Sequence, residues 1–177
     1  MLSINPATGE LALPIGASIS PDTTRDAFAS DPVFAGARNA GGAPPYLTLS
    51  FDAGELDHRP LLARVTFYEQ TLLSISLTID VYEKGATWDD YSFESEAGTK
   101  LLHEALLTRL LGEPTHRDHR FAFGKSKAEA ILAQPVTWEF AWGRAVSSHD
   151  SKGGGTYITL AFGDRMNEAR RAYDTRR

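Results

Sequence analysis

Hydrophobic and polar positions alternate most cleanly in three stretches near the middle of the chain. From Tyr46, Leu47, Leu49 and Phe51 oppose Tyr46, Thr48 and Ser50. Over 62–69, Ala63, Val65 and Phe67 share one side, and over 72–80 Leu73, Ile75, Leu77 and Ile79 oppose Ser74, Ser76, Thr78 and Asp80. A period of two puts each set on its own side of a strand. An oily face backed by a hydroxyl-rich one marks an antiparallel sheet covered on a single face, because strands buried on both sides read as unbroken apolar runs. Residues 52–60 read as the turn between the first two strands. Further on, Val136, Trp138, Phe140 and Trp142 alternate with Thr137, Glu139 and Ala141, and Ile158, Leu160 and Phe162 alternate with Tyr157, Thr159 and Ala161. With the turn-rich residues 147–155 between them, these predict a terminal hairpin.

Between the two groups of strands the period changes. Ala97, Leu101, Leu102, Ala105, Leu106 and Leu110 recur at three and four residues and predict a helix over 92–111. Ser92 is its expected N-cap, Glu94 and Glu96 favour the macrodipole in the first turns, and Gly112 and Pro114 stop it. The leucine stripe is the expected cover for the oily sheet face. A short helix is predicted over 24–30, where Thr23 and Asp26 approximate a capping box and Ala27 and Phe28 would pack on the sheet. Another is predicted over 128–134. Residues 1–19, with Pro6, Gly9, Pro14 and Gly16, read as short extended pieces and turns, including a tight turn at Asn5, Pro6, Thr8 and Gly9. Residues 38–45 and 115–127 read as loops. Strands do not alternate with crossover helices, so a doubly wound parallel sheet is not expected. The expected fold class is α+β: a twisted antiparallel sheet covered on one face by one long helix and one or two short helices. It occupies 1–163, and 164–177 is a basic C-terminal tail or frayed helix.

Composition narrows the function. The 177 residues suffice for one domain with its own core, and 42% hydrophobic with 23% charged residues is far from a disordered composition. Without cysteine there are no disulfides and no thiolate chemistry. Neither a secretory leader nor a membrane span is legible, so a cytoplasmic location is expected. The net charge of −5 is uneven, since 164–177 carry +2 and the rest −7. An acidic body repels phosphate, so a protein partner is expected rather than nucleic acid or a membrane, and pairing through edge strands would make a homo-oligomer.

Four clusters have residue types that can do chemistry. His116, Asp118 and His119 could bind a metal or serve as acid and base, but their spacing is unspecific and no distant third ligand is legible. Asp89, Asp90, Glu94 and Glu96 are accounted for by helix capping; as a site, they would form an acidic recognition patch with Trp88 and Tyr91. Lys152 before Gly153, Gly154 and Gly155 inverts the order of a phosphate-binding loop and reads as a hairpin turn. Ser147, Ser148, His149 and Asp150 hold the types of a catalytic triad, yet neighbours in sequence cannot form its relay. No catalytic residue and no cofactor is therefore assigned. Trp138 and Trp142 are read either as core or as an exposed aromatic platform.

Trp88-Asp89-Asp90, the helix end Leu110-Leu111-Gly112-Glu113-Pro114, and Phe140-Ala141-Trp142-Gly143 through Asp150 to Gly153-Gly154-Gly155 and Ile158 resemble a bacterial protein family of unassigned function, some members lying near interbacterial toxin genes. The resemblance spans about 23–162 and carries no catalytic residues. The helix ending in Leu-Gly-Glu-Pro before a Trp-rich ribbon is also similar in architecture to the helix-plus-sheet units of the β-lactamase inhibitory protein and of small outer-membrane assembly lipoproteins, which are binding proteins. The chain lacks their lipoprotein signal and cysteine. Together with the acidic body and the lack of a catalytic constellation, these resemblances imply a non-catalytic, immunity-like or inhibitor protein that neutralises a cognate toxin by direct binding. The partner-binding residues expected from the acidic and aromatic cluster itself are Trp88, Asp89, Asp90, Tyr91 and Glu94. The alternative is an enzyme or a small-ligand or metal-binding protein using the His116, Asp118 and His119 loop or the Asp89, Asp90 and Glu94 cluster.

Overall fold

The structure is a computed structural model that describes residues 1–79, 92–117, 126–152 and 154–175. Among these, eight strands form one antiparallel sheet. In chain order they are β4 (Arg38–Gly41), β5 (Tyr46–Leu56), β6 (Arg59–Tyr68), β7 (Thr71–Ile79), β8 (His116–Arg117), β9 (Val136–Phe140), β10 (Gly143–Asp150) and β11 (Gly155–Phe162). Their order across the sheet is β4-β5-β6-β7-β11-β10-β9-β8. Two antiparallel ribbons thus meet where β11 pairs with β7, Ile158 opposite Leu77 and Leu160 opposite Ile75. The α+β architecture is the one the alternation predicts.

One face of this sheet carries the main core. Phe51, Ala63, Val65, Ile75, Leu77, Ile158, Leu160, Ala145, Val136 and Trp138 line it, all buried. Over it lie α2 (Phe93–Leu111), the short α1 (Arg25–Ser30) and a small sheet of β1 (Ser3–Ile4), β2 (Leu11–Ala12) and β3 (Ser18–Ile19), while α3 (Lys127–Leu132) packs on α2 through Ala97, Ala128 and Leu132. Ser92 caps α2 as expected, its hydroxyl accepting from Ser95 N–H at 3.0 Å. At the other end Trp138 Nε1 donates to Gly112 O at 2.8 Å, which ties the helix terminus to β9. In α1, Phe28 stacks on Phe34 with ring centroids 4.2 Å apart and abuts Phe51 and Phe67. Its cap is Thr24, which accepts from Ala27 N–H, and Ala27 faces solvent. Thr23 is occupied elsewhere, accepting from Ser20 N–H at 3.0 Å.

Several expectations are corrected. Residues 52–60 are mostly strand, because the β5–β6 hairpin closes in the two residues Asp57 and His58, both at positive φ (51° and 63°), as a primed two-residue turn requires. Gly54 with Asp52 supplies the polar character that mimics a loop, at a break in register. Arg38 begins an edge strand rather than a loop, and His116 and Arg117 form the opposite edge. Ser147 to Asp150 belong to β10, so the terminal hairpin is a three-stranded meander whose first turn is Ala141-Trp142. Trp142 therefore does not share a strand face with Trp138. Its ring stacks on Phe140 and its Nε1 donates to Pro6 O at 3.0 Å, joining the meander to the first turn of the chain.

The register also shifts between Thr66 and Phe67, so Leu73 leaves the face of Ile75 and Leu77. It packs instead with Tyr68 and Ala169 of α4 (Arg165–Asp174), the segment read as a basic tail or frayed helix. The hydroxyl-rich face is thus partly covered as well.

Candidate functional site

Helix α2 follows its sequence pattern only in part: Ala97 and Leu106 of the predicted stripe are buried and Leu110 packs against the core, but the rest of the stripe turns outward. Leu101 and Leu102 are 48% and 41% exposed and Ala105 faces solvent, whereas Glu96, Lys100, His103 and Glu104 are buried against the sheet. The reason lies beneath it. Ser147 and Thr156 are inward positions of β10 and β11, His149 pairs with Thr156, and this end of the core-side face is polar. A polar surface withdrawn from water needs polar partners, and among the described residues the charged stripe of α2 supplies them.

The layer is connected. Thr156 Oγ1 donates to Glu96 Oε2 at 2.7 Å, and His149 Nδ1 lies 3.9 Å from the same oxygen. One turn further along, the fully buried Lys100 ammonium donates to Glu104 Oε1, and Arg117 of β8 donates to Glu104 Oε2 at 2.8 Å. His103 Nε2 accepts from Ile79 N–H at 3.2 Å, which places the proton of the neutral ring on Nδ1. Burial, aided by the nearby Lys100 charge, lowers the His103 pKa to about 4. Burial likewise holds Lys100 below the usual lysine range, against the opposing pull of Glu104. Among the described residues, His103 Nδ1 and Ser147 Oγ have no hydrogen-bond partner. Apart from Arg117, which is 44% exposed, these side chains are closed to solvent. The arrangement fixes the register of α2 on the sheet.

The consequence appears on the outer side of α2. Leu101, Leu102 and Ala105 form an apolar strip bordered by the exposed charges of Glu94 and Arg109. Between this strip and the tip of the β5–β6 hairpin lies a hollow of about 410 Å³, lined by Leu56, Asp57, Arg59, Leu102, Ala105 and Arg109 among others. Apolar side chains ringed by charge are the usual anatomy of a protein-binding patch.

Of the predicted site residues, Glu94 is exposed in the first turn of α2, beside this strip. Trp88, Asp89, Asp90 and Tyr91 lie outside the described residues, as do Asp118 and His119. His116 is exposed on the edge strand β8, opposite Thr137. Among the described residues no group of three or more His, Asp or Glu side chains is placed to hold a metal ion. Glu96 is not a solvated first-turn acid but a buried acceptor. Lys152 and Gly154 form the β10–β11 turn, where Lys152 N–H donates to Asp150 Oδ1 at 2.9 Å. Sequence reasoning missed the polar layer, although its signal was present: positions 96, 100, 103 and 104 recur at helical spacing as regularly as the leucines, and Ser147 continues the alternation of Ala145.

No protein-family model matches the chain, and no curated protein matches it in sequence. Among solved structures, it is similar to a chain of Rhs1-CT in complex with cognate immunity protein RhsI1. The likeness covers 99% of this chain and 97% of that one, with a TM-score of 0.52 and 13% sequence identity. The two share a fold. No helix among the described residues is long and apolar enough to cross a membrane.

Proposed function

We propose that this chain is a bacterial immunity-type protein that neutralises a cognate toxin by binding it directly, without catalysis, in the cytoplasm. The observation that carries the reading is the end-to-end fold likeness to a chain of a toxin–immunity complex. The outward leucines of α2 add a place for the partner to dock, and the chain's charge of −5 favours a basic one. The apolar strip supplies the buried centre of the contact and Glu94 its rim, and Trp88, Asp89, Asp90 and Tyr91, which precede the helix in sequence, are proposed as further partner-binding residues. In this role the buried charges of α2 serve recognition indirectly, by holding the leucines outward.

The test is protection. A toxin domain encoded beside this gene is expressed in a susceptible host with and without the chain. Rescue of growth, together with co-purification of the two proteins in a fixed ratio, is the expected result. Continued killing at equal expression would overturn the proposal.

A further inference from the structure

The other face of the sheet carries a second surface. Arg38 lies opposite Ser50, Ser50 opposite Arg64, and Arg64 opposite Ser76, so that four side chains form one row across β4, β5, β6 and β7. Asp52, Leu62 and Thr78 form the next row. Together with Tyr157 these rows bound a groove of about 350 Å³. Arg64 lies over the Tyr157 ring, its Cζ 5.7 Å from the centroid, and Leu62 is 45% exposed in the groove floor. Neither Arg38 nor Arg64 forms an ion pair with a described residue, while Asp52 Oδ1 is occupied by Gly54 N–H at 2.7 Å. On a chain of net charge −5, two guanidinium groups on one row reverse the local sign.

We propose that this groove binds an acidic polypeptide segment of a protein partner. A carboxylate would lie between Arg38 and Arg64, and an adjacent aromatic or aliphatic side chain would cover Leu62 and Tyr157. The chemistry favours this occupant in two ways. A guanidinium presents a planar fork that matches a carboxylate, and one resting on an aromatic face is already oriented. Polyphosphate chains need a longer run of cations and would meet the repulsion of the acidic body, so nucleic acid fits less well. The groove lies on the face opposite α2, and the inference does not depend on toxin binding.

The experiment is a two-dimensional amide NMR titration of the full chain with an octapeptide of alternating Glu and Tyr. Expected are saturable shifts at Ser50, Arg64, Thr78 and Tyr157 that weaken with added salt. They vanish in the double variant Arg38→Glu, Arg64→Glu and shrink in Arg64→Lys, which keeps the charge but loses the fork. Because all these positions are at the surface, spectra elsewhere stay superimposable; Arg64→Gln serves if the double variant unfolds. Absence of saturable shifts, or shifts indifferent to both arginines, would overturn the proposal. So would an octamer of thymidylate producing the same shifts at lower concentration. None of these outcomes bears on protection from the toxin.

Discussion

Thr156 of β11 donates its hydroxyl proton to Glu96 of α2 at 2.7 Å, linking sheet and helix across 60 residues of sequence inside a buried layer. Replacing Glu96 by Ala leaves that hydroxyl only its longer 3.4 Å contact with His149 Nδ1 and takes away the carboxylate neighbour of His149. The expected cost is roughly 1–3 kcal/mol, read as a lower midpoint in urea unfolding, with Glu96→Gln costing less because an acceptor remains. An unchanged midpoint for the alanine variant would mean that the layer does not hold the helix.

Acid should loosen the same layer through His103. Its folded pKa of about 4 lies below the unbound value of 6.5, so between these values the unfolded chain binds more protons. Stability from this group is complete above pH 6.5 and declines as pH falls towards 4, by up to about 1.4 kcal/mol per pH unit. Chemical denaturation at a series of pH values measures the slope, and His103→Gln should flatten it.

Glu104 is the shared partner of Lys100 and Arg117, and Lys100 has no exposed surface. Glu104→Ala leaves a buried ammonium unpaired and should destabilise by about 3–5 kcal/mol, whereas replacing both residues, Lys100→Met with Glu104→Leu, should cost little or nothing. A double variant as unstable as the single one would show that the pair is not acting as a unit.

Gly9 lies directly against Trp142. It adopts φ 75°, and a Cβ there would approach Trp142 Cδ2 to 2.6 Å. Gly9→Ala combines a strained backbone with displacement of the ring, so a loss of more than about 1 kcal/mol is expected from thermal unfolding. Trp142→Phe, which removes only the bond to Pro6 O and part of the stack, should cost less.

Strand alternation in the chain is local information, and it located β5, β6, β7 and the cores of β9 and β11 from residues such as Val65, Ile75 and Leu160. The ends of α2 were equally legible, because Ser92 and Gly112 act on backbone groups beside them. Orientation of α2 was not. Two stripes of that helix have the same period, and the choice between Leu101 and Lys100 as the inward residue depends on Ser147, His149 and Thr156, which come much later in the chain. Polarity misled in the same way at 52–60 and 147–150, where hydroxyl and charged groups in mid-strand imitate turns. The register shift that turns Leu73 outward depends on how β7 aligns with β6, and no local pattern encodes it.

The central claim, that the outward leucines of α2 hold a toxin, is tested most directly by calorimetric titration of the chain with the toxin domain encoded beside its gene. Saturable one-to-one binding is predicted. Leu101→Glu with Leu102→Glu should weaken it by about tenfold or more while leaving the melting temperature unchanged, since both side chains already face water. Absence of binding, or equal affinity for the folded variant, would contradict the account.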